Sequence, residues 1–149
     1  MLIVTCAIII QHGKILICQR SSTMNLPLKW EFPGGKVEPG EDNALTIVRE
    51  IKEELHLDIE VVKRLQPVEH DYPTFRIRLV PFVALVVGGE LRLEEHADAK
   101  WVTVDELSHY DWAPADVPIV EKLGEEIMFW QIMSERDDWD GTIEGKQIY

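Results

Sequence analysis

Gly35-Lys36-Val37-Glu38-Pro39-Gly40-Glu41-Asp42-Asn43-Ala44-Leu45-Thr46-Ile47-Val48-Arg49-Glu50-Ile51-Lys52-Glu53-Glu54-Leu55-His56-Leu57 is the stretch that decides how this chain folds. It opens as a loop, since Pro33 to Gly40 holds three glycines and two prolines. A helix follows from about Asp42 to Leu55. Asp42 or Glu41 serves its N-terminal end, where a negative charge suits the free amides and the dipole. Ala44, Val48, Ile51 and Leu55 recur at helical spacing and predict the core stripe. Glu50, Glu53 and Glu54 fall within an arc of about 100° on nearly the opposite side. Like charges this close repel each other, and hard divalent cations with oxygen ligands offset that repulsion. A solvated acidic face is the alternative for the carboxylates alone. The Gly-Gly turn before the helix lets backbone approach a ligand closely. Lys36 adds a cation there, a combination suited to a polyphosphate with its metal ion.

Outward from this stretch, residues 5–10 and 14–19 are β-branched runs separated by Gln11-His12-Gly13, which predicts a hairpin with Gly13 at positive φ. If Ile10 faces Lys14, Cys6 faces Cys18 across the ladder. We expect two buried, reduced thiols all the same. Residues 21–29 read as irregular and 30–32 as a short strand. Residues 59–65 and 75–87 read as strands, Gly88-Gly89 as a turn and 90–93 as a short return strand. Residues 100–103 read as extended and 105–107 as one helical turn. A second helix is expected from Asp116 to about Met133, with Val120, Leu123, Ile127 and Trp130 along one side and Pro118 in its first turn. Residues 134–149 read as a polar, acidic tail, loose or late to pack, after one domain over 1–133. The order predicts an α/β (α+β) chain: a mixed sheet with helices against its faces.

Composition narrows the function classes. Of 149 residues, 46% are hydrophobic and 28% charged, which excludes collagen-like and disordered chains and allows a core. The formal charge of −12 argues against binding a nucleic acid polymer, whose affinity rests on Lys and Arg. A small nucleotide that brings its own cations is compatible with it. No apolar run is long enough to span a bilayer. The apolar start lacks a basic leader and a cleavage site, so a cytoplasmic protein, monomer or homodimer, is expected.

Gly35, five residues, Glu41, seven residues, then Arg49-Glu50-Ile51-Lys52-Glu53-Glu54-Leu55-His56-Leu57 resembles the Nudix box. That pattern is Gly-x5-Glu-x7-Arg-Glu-apolar-x-Glu-Glu-x-Gly-apolar, and every fixed polar position matches. The one departure is His56, where the family has Gly. Helix ends of this kind take positive φ, which costs a non-Gly residue about 1 kcal/mol and is tolerated comparatively well by His. Trp30 to Glu41 and Tyr110 to Pro118 are similar to the MutT-type branch and related CTP pyrophosphohydrolases, so the likeness spans most of residues 3–130.

The resemblance implies a Nudix-type mixed β-sheet sandwiched between helices. It implies hydrolysis of a nucleoside triphosphate between the α and β phosphates, with Mg²⁺ as cofactor and Mn²⁺ as a substitute. Glu50, Glu53 and Glu54 would hold the metal with the Gly34 carbonyl, Glu50 alternatively orienting or deprotonating the attacking water. Glu95, six residues before Trp101, matches a metal-binding or basic glutamate of MutT, or is a solvated loop acid. Arg49 is expected to pair with box carboxylates, Glu41 first. Lys36 and Arg20 are candidates for phosphate contact, Arg20 equally for the surface. Asp116 stands where the branch reads the base edge, and Phe32, Tyr72, Phe75 and Trp112 are candidates for stacking. The substrates implied are (d)CTP-like pyrimidine or oxidised purine triphosphates such as 8-oxo-dGTP, with a role in nucleotide pool sanitation and DNA repair. Two rivals are a Nudix hydrolase of dinucleoside polyphosphates or nucleotide sugars, and a Nudix-like sensor that binds without cleaving.

Overall fold

In the computed structural model, which describes residues 1–125 together with 142–143 and 146–147, β1 (Leu2–Gln11) and β2 (Lys14–Gln19) form the predicted hairpin. Its loop is shorter than expected. His12 and Gly13 both take positive φ, 48° and 80°, as a two-residue turn matched to strand twist requires. Ile10 therefore pairs with Ile15 and Gln11 with Lys14, one residue out of the expected register. That slip turns the two cysteines to opposite faces. Cys6 lies opposite Gly34, Cys18 opposite Glu31, each in a different core layer, both free thiols.

Past Ile10 and Ile15 the hairpin strands splay, and residues 30–36 run between them. β3 (Trp30–Glu31) pairs with β2, Pro33 O accepts from Ala7 N at 2.8 Å, and β4 (Gly34–Lys36) pairs with β1. A segment read from the sequence as mostly loop is thus a wedge inside the sheet. On the other side of β1, parallel to it, lies β7 (Phe75–Gly89). β7 pairs antiparallel with β6 (Val68–Tyr72) along its first half and β5 (Leu57–Arg64) along its second. β8 (Asp98–Val102) closes the far edge on β2.

Two expectations are corrected here. Gly88 and Gly89 are not a turn but the end of β7, opposite Asp58 and Leu57. Residues 90–93 form no return strand; the segment instead serves a helix end, Arg92 N donating to Leu55 O (3.0 Å) and the following Glu94 N to Glu54 O (3.3 Å). β6 was not foreseen, since Val-Glu-His-Asp-Tyr has the polarity of a loop.

Both faces of the sheet are covered. Helix α1 (Asn43–Leu55) lays Ile47, Ile51 and Leu55, all fully buried, against Ala7, Ile9, Leu16, Val80 and Phe82. Ala44 and Val48 of the predicted stripe flank this contact, half-buried. The opposite layer sets Ile8, Ile10, Ile17 and Val83 against Leu107 and Trp112, and against Ile119 and Leu123 of α2 (Val117–Glu125). Covering both faces is why β1 reads as an unbroken apolar run. The predicted turn at 105–107 is a 3₁₀ helix, Val104–His109, and a second, Pro114–Asp116, leads into α2. The expected continuation of α2 to Met133, with Ile127 and Trp130, lies outside the described residues. So does the tail, apart from the paired short strands β9 (Thr142–Ile143) and β10 (Lys146–Gln147). Among the described residues no helix is long and apolar enough to cross a membrane.

Candidate active site

The wedge segment carries the site. At Phe32 its backbone N–H donates to Asp116 Oδ2 (2.8 Å), and at Gly35 it lies against the Glu50 carboxylate. Between these points runs a cavity of about 660 Å³, lined among others by Arg20, Glu31, Gly34, Lys36, Glu54, Tyr72, His96 and Asp116. The loop bearing Asp116 is fixed to β3 through Trp30 N→Asp111 O and Ala113 N→Trp30 O, both 2.8 Å.

Helix α1 starts and stops as its residues dictate. Asp42 accepts from Leu45 N (3.1 Å) as N-cap. His56 ends the helix in the left-handed region (φ 61°, ψ 25°), its N–H on Lys52 O. The acidic side then faces the wedge. Arg49 grips Glu41 with two donors (2.8 and 3.0 Å), as the resemblance implied, and reaches Glu50 (3.0 Å) and Glu53 (3.2 Å) with a third nitrogen. The guanidinium bonds hold the Glu41 carboxyl down at about 2.

Glu54 behaves oppositely. Burial, reinforced by the charges of Glu50, Glu31 and Glu95, pushes its carboxyl up to about 8. Its Oε2 is buried with no hydrogen-bond partner. Burial also raises Glu50, against the pull of Arg49. Two observations show that this donor set fits a divalent cation. A buried carboxylate oxygen lacks a partner amid three further acids, a charge excess that a hard cation offsets. And a Cβ at Gly35 would collide with the Glu50 carboxylate, so glycine keeps that cradle open. Among the described residues no three such side chains enclose a cation by themselves. Mg²⁺ commonly takes one or two protein carboxylates and fills its shell with phosphate oxygens and water.

The remaining predicted residues are distributed as follows. Gly34 sits in β4, so close to the Thr5 carbonyl that no side chain fits. Lys36 lines the cavity and is exposed. Glu53 is exposed, and Glu95 lies exposed on the 90–97 loop, near enough for its charge to act on Glu54. Arg20 lines the cavity but is engaged with Glu31 (2.7 Å) and Asn25 O (2.6 Å). Tyr72 and Phe75 pack at 5.2 Å, Tyr72 accepting from Ala115 N and Phe75 half-exposed on the cavity wall. Phe32 is buried and lines the cavity, tilted against Trp112 at 4.8 Å. Trp112 itself belongs to the core, its Nε1 on Leu107 O. Asp116 is buried, and burial above all pushes its carboxyl up to about 8.

Two residues were missed. Glu31 accepts from Arg20 with one oxygen and meets His96 Nε2 with the other (2.9 Å). The His96 side chain is 2% exposed and its Nδ1 has no partner. A lone acid between Trp30 and Phe32 was the available signal for Glu31; nothing in the spacing pointed to His96.

The NUDIX domain model matches residues 1–123. This chain belongs to the Nudix family. Like other Nudix proteins it has named relatives of similar length. It is 36% identical over 121 residues to the CTP pyrophosphohydrolase of Escherichia coli strain K12, covering 81% of this chain and 90% of that one. It is 29% identical over 113 residues to that organism's 8-oxo-dGTP diphosphatase, covering 76% and 88%. Among solved Nudix-fold structures, the E. coli ORF135 protein superposes with a TM-score of 0.73 at 34% identity, covering 84% of this chain and 89% of that one. The MutT protein of methicillin-resistant Staphylococcus aureus 252 gives 0.69 at 41%, covering 84% and 96%.

Proposed function

We propose that this Nudix protein is a metal-dependent nucleoside triphosphate pyrophosphohydrolase that converts (d)CTP-like or 8-oxo-dGTP-like substrates to the nucleoside monophosphate and pyrophosphate. The observation that carries this reading is the cavity itself, which joins Glu54, whose buried Oε2 lacks a partner, to the buried Asp116 carboxyl beside aromatic rings. The names of the relatives support the same reaction class.

Glu50, Glu53, Glu54 and Glu95, with the Gly34 carbonyl, would hold Mg²⁺ or, in its place, Mn²⁺. The bound ion supplies charge neutralisation at the phosphate oxygens and a more acidic water. Arg49 keeps Glu50 and Glu53 oriented. Glu50, set against the open Gly35 cradle, is, as the alternative to holding the ion, the group that accepts a proton from water as the water oxygen attacks phosphorus. The phosphoanhydride bond between the α and β phosphates breaks and pyrophosphate leaves. Lys36 offsets charge on the polyphosphate from the cavity wall.

At the other contact of the wedge, Asp116 is protonated at neutral pH, because burial raises it to about 8. A neutral carboxyl offers both a donor and an acceptor. That pair matches the N4–H/N3 edge of cytosine and equally the N7–H/O6 edge of 8-oxoguanine. Phe75 and Tyr72 offer aromatic faces for stacking. With a net charge of −12, free nucleotides rather than polymers are the substrate, and we infer a cytoplasmic role in clearing damaged nucleotides ahead of DNA synthesis.

A turnover panel of natural and oxidised nucleoside triphosphates in Mg²⁺, with product identification, tests this. Monophosphate and pyrophosphate from the cytosine or 8-oxoguanine members is the expected outcome. Release of inorganic phosphate, or no turnover of any member, overturns it.

A further inference from the structure

His56 stands where other Nudix boxes have glycine, at a φ of 61° that glycine adopts without steric penalty. The side chain at this strained position is engaged. Its Nε2 lies 2.6 Å from Glu94 Oε1, and Arg92 Nη2 approaches the same ring at 3.3 Å. Both partners belong to the 90–97 loop, and both also bond the end of α1 through their backbones, Arg92 N to Leu55 O and Glu94 N to Glu54 O. The far end of the loop is fixed by Ala97 N on Gln19 O (2.9 Å). Glu95 lies between these anchors and, among the described residues, makes no hydrogen bond of its own that would fix it. It is nonetheless close enough to act on Glu54.

We infer that His56 is a positioning residue: by tethering Glu94, with the Arg92 side chain against the same ring, it holds the 90–97 loop against the end of α1, so that Glu95 stands at the acidic cluster. The inference rests on the proposal that Glu95 is one of the metal-holding carboxylates. The main-chain bonds bring Arg92 and Glu94 to the end of α1. The imidazole adds the side-chain contact that keeps the loop from peeling away at its exposed edge.

The test compares the full chain with His56→Gly, His56→Asn and Glu95→Gln. Glycine and asparagine both accept positive φ, so both variants fold, which thermal unfolding verifies. Two quantities are measured on the nucleotide-free protein: amide hydrogen exchange at Arg92 and Glu94, and the affinity for Mn²⁺ alone. Both His56 variants are expected to exchange faster at these two amides with α1 unchanged, and to weaken Mn²⁺ binding by about tenfold, as losses among groups that orient metal ligands commonly do. Glu95→Gln is expected to weaken Mn²⁺ without altering exchange. Unchanged exchange in both His56 variants overturns the tether. Faster exchange with unchanged Mn²⁺ affinity, while Glu95→Gln weakens it, overturns the positioning of Glu95. If Glu95→Gln leaves Mn²⁺ affinity intact, the assignment of Glu95 as a ligand fails and takes this inference with it.

Discussion

Replacing Glu54 with glutamine is expected to stabilise the metal-free protein while abolishing its use of metal. Glu54 is pushed from its ordinary 4.5 to about 8, first by burial and then by three neighbouring acids. Between those values the folded chain retains a proton that the unfolded chain has released. Raising the pH through this window therefore favours unfolding, and the penalty is complete above about pH 8. At pH 7 the gap from 4.5 is about 2.5 units, or roughly 3 kcal/mol at 1.36 kcal/mol per unit. Glutamine keeps the shape and removes the titration. Urea unfolding in EDTA at pH 5, 6, 7 and 8 provides the assay. The unmodified chain should lose stability steadily across the series, and the Glu54→Gln chain should lose less and be the more stable by pH 7. Adding Mg²⁺ should restore the unmodified chain and leave the variant unmoved. Equal stability of the two chains at pH 7 in EDTA, with parallel pH profiles, would refute the picture of an uncompensated carboxyl.

Further expectations concern single contacts. Glu53→Gln should lower pyrophosphate release by about a hundredfold or more with an unchanged circular dichroism spectrum, and activity within threefold of the parent would count against a ligand role. Gly35→Ala should be folded yet inactive, since the new methyl enters the Glu50 cradle; full activity would show that the cradle is not used. Asp116→Asn keeps an acceptor for Phe32 N–H but has a fixed donor, so it should reorder the preferred bases in the turnover panel, whereas a uniform loss across all triphosphates would remove Asp116 from base reading. Ile51→Ala, at a fully buried site between α1 and the sheet, should lower unfolding free energy by about 2–5 kcal/mol in denaturant titration.

What could be read in advance divides along a physical line. Local signals were legible: an acidic cap at Asp42 or Glu41 and the acidic side of α1 follow from spacing within one helix and its flank, while positive φ at His56 and the Glu41–Arg49 pair came with the likeness to the box. Side chains brought together across the sheet were less so. The Glu31–His96 contact joins residues 65 apart, and no periodicity encodes it. The hairpin register turned on whether two or three residues made the loop, a difference that moved Cys18 to the other face. The glycines at 88 and 89 resembled a turn because a glycine pair is locally permissive. Their role instead came from a neighbour, as Gly89 lies too close to the His56 carbonyl for any side chain.

Because residues 30–36 are threaded through a split between two sheet strands, one short ribbon sets the distance from the Asp116 contact to the Glu50 contact. Length changes in that ribbon would throw both out of alignment at once. Changes of substrate preference are thereby expected at the cavity borders 24–26 and 73–75, which lie off the ruler they surround.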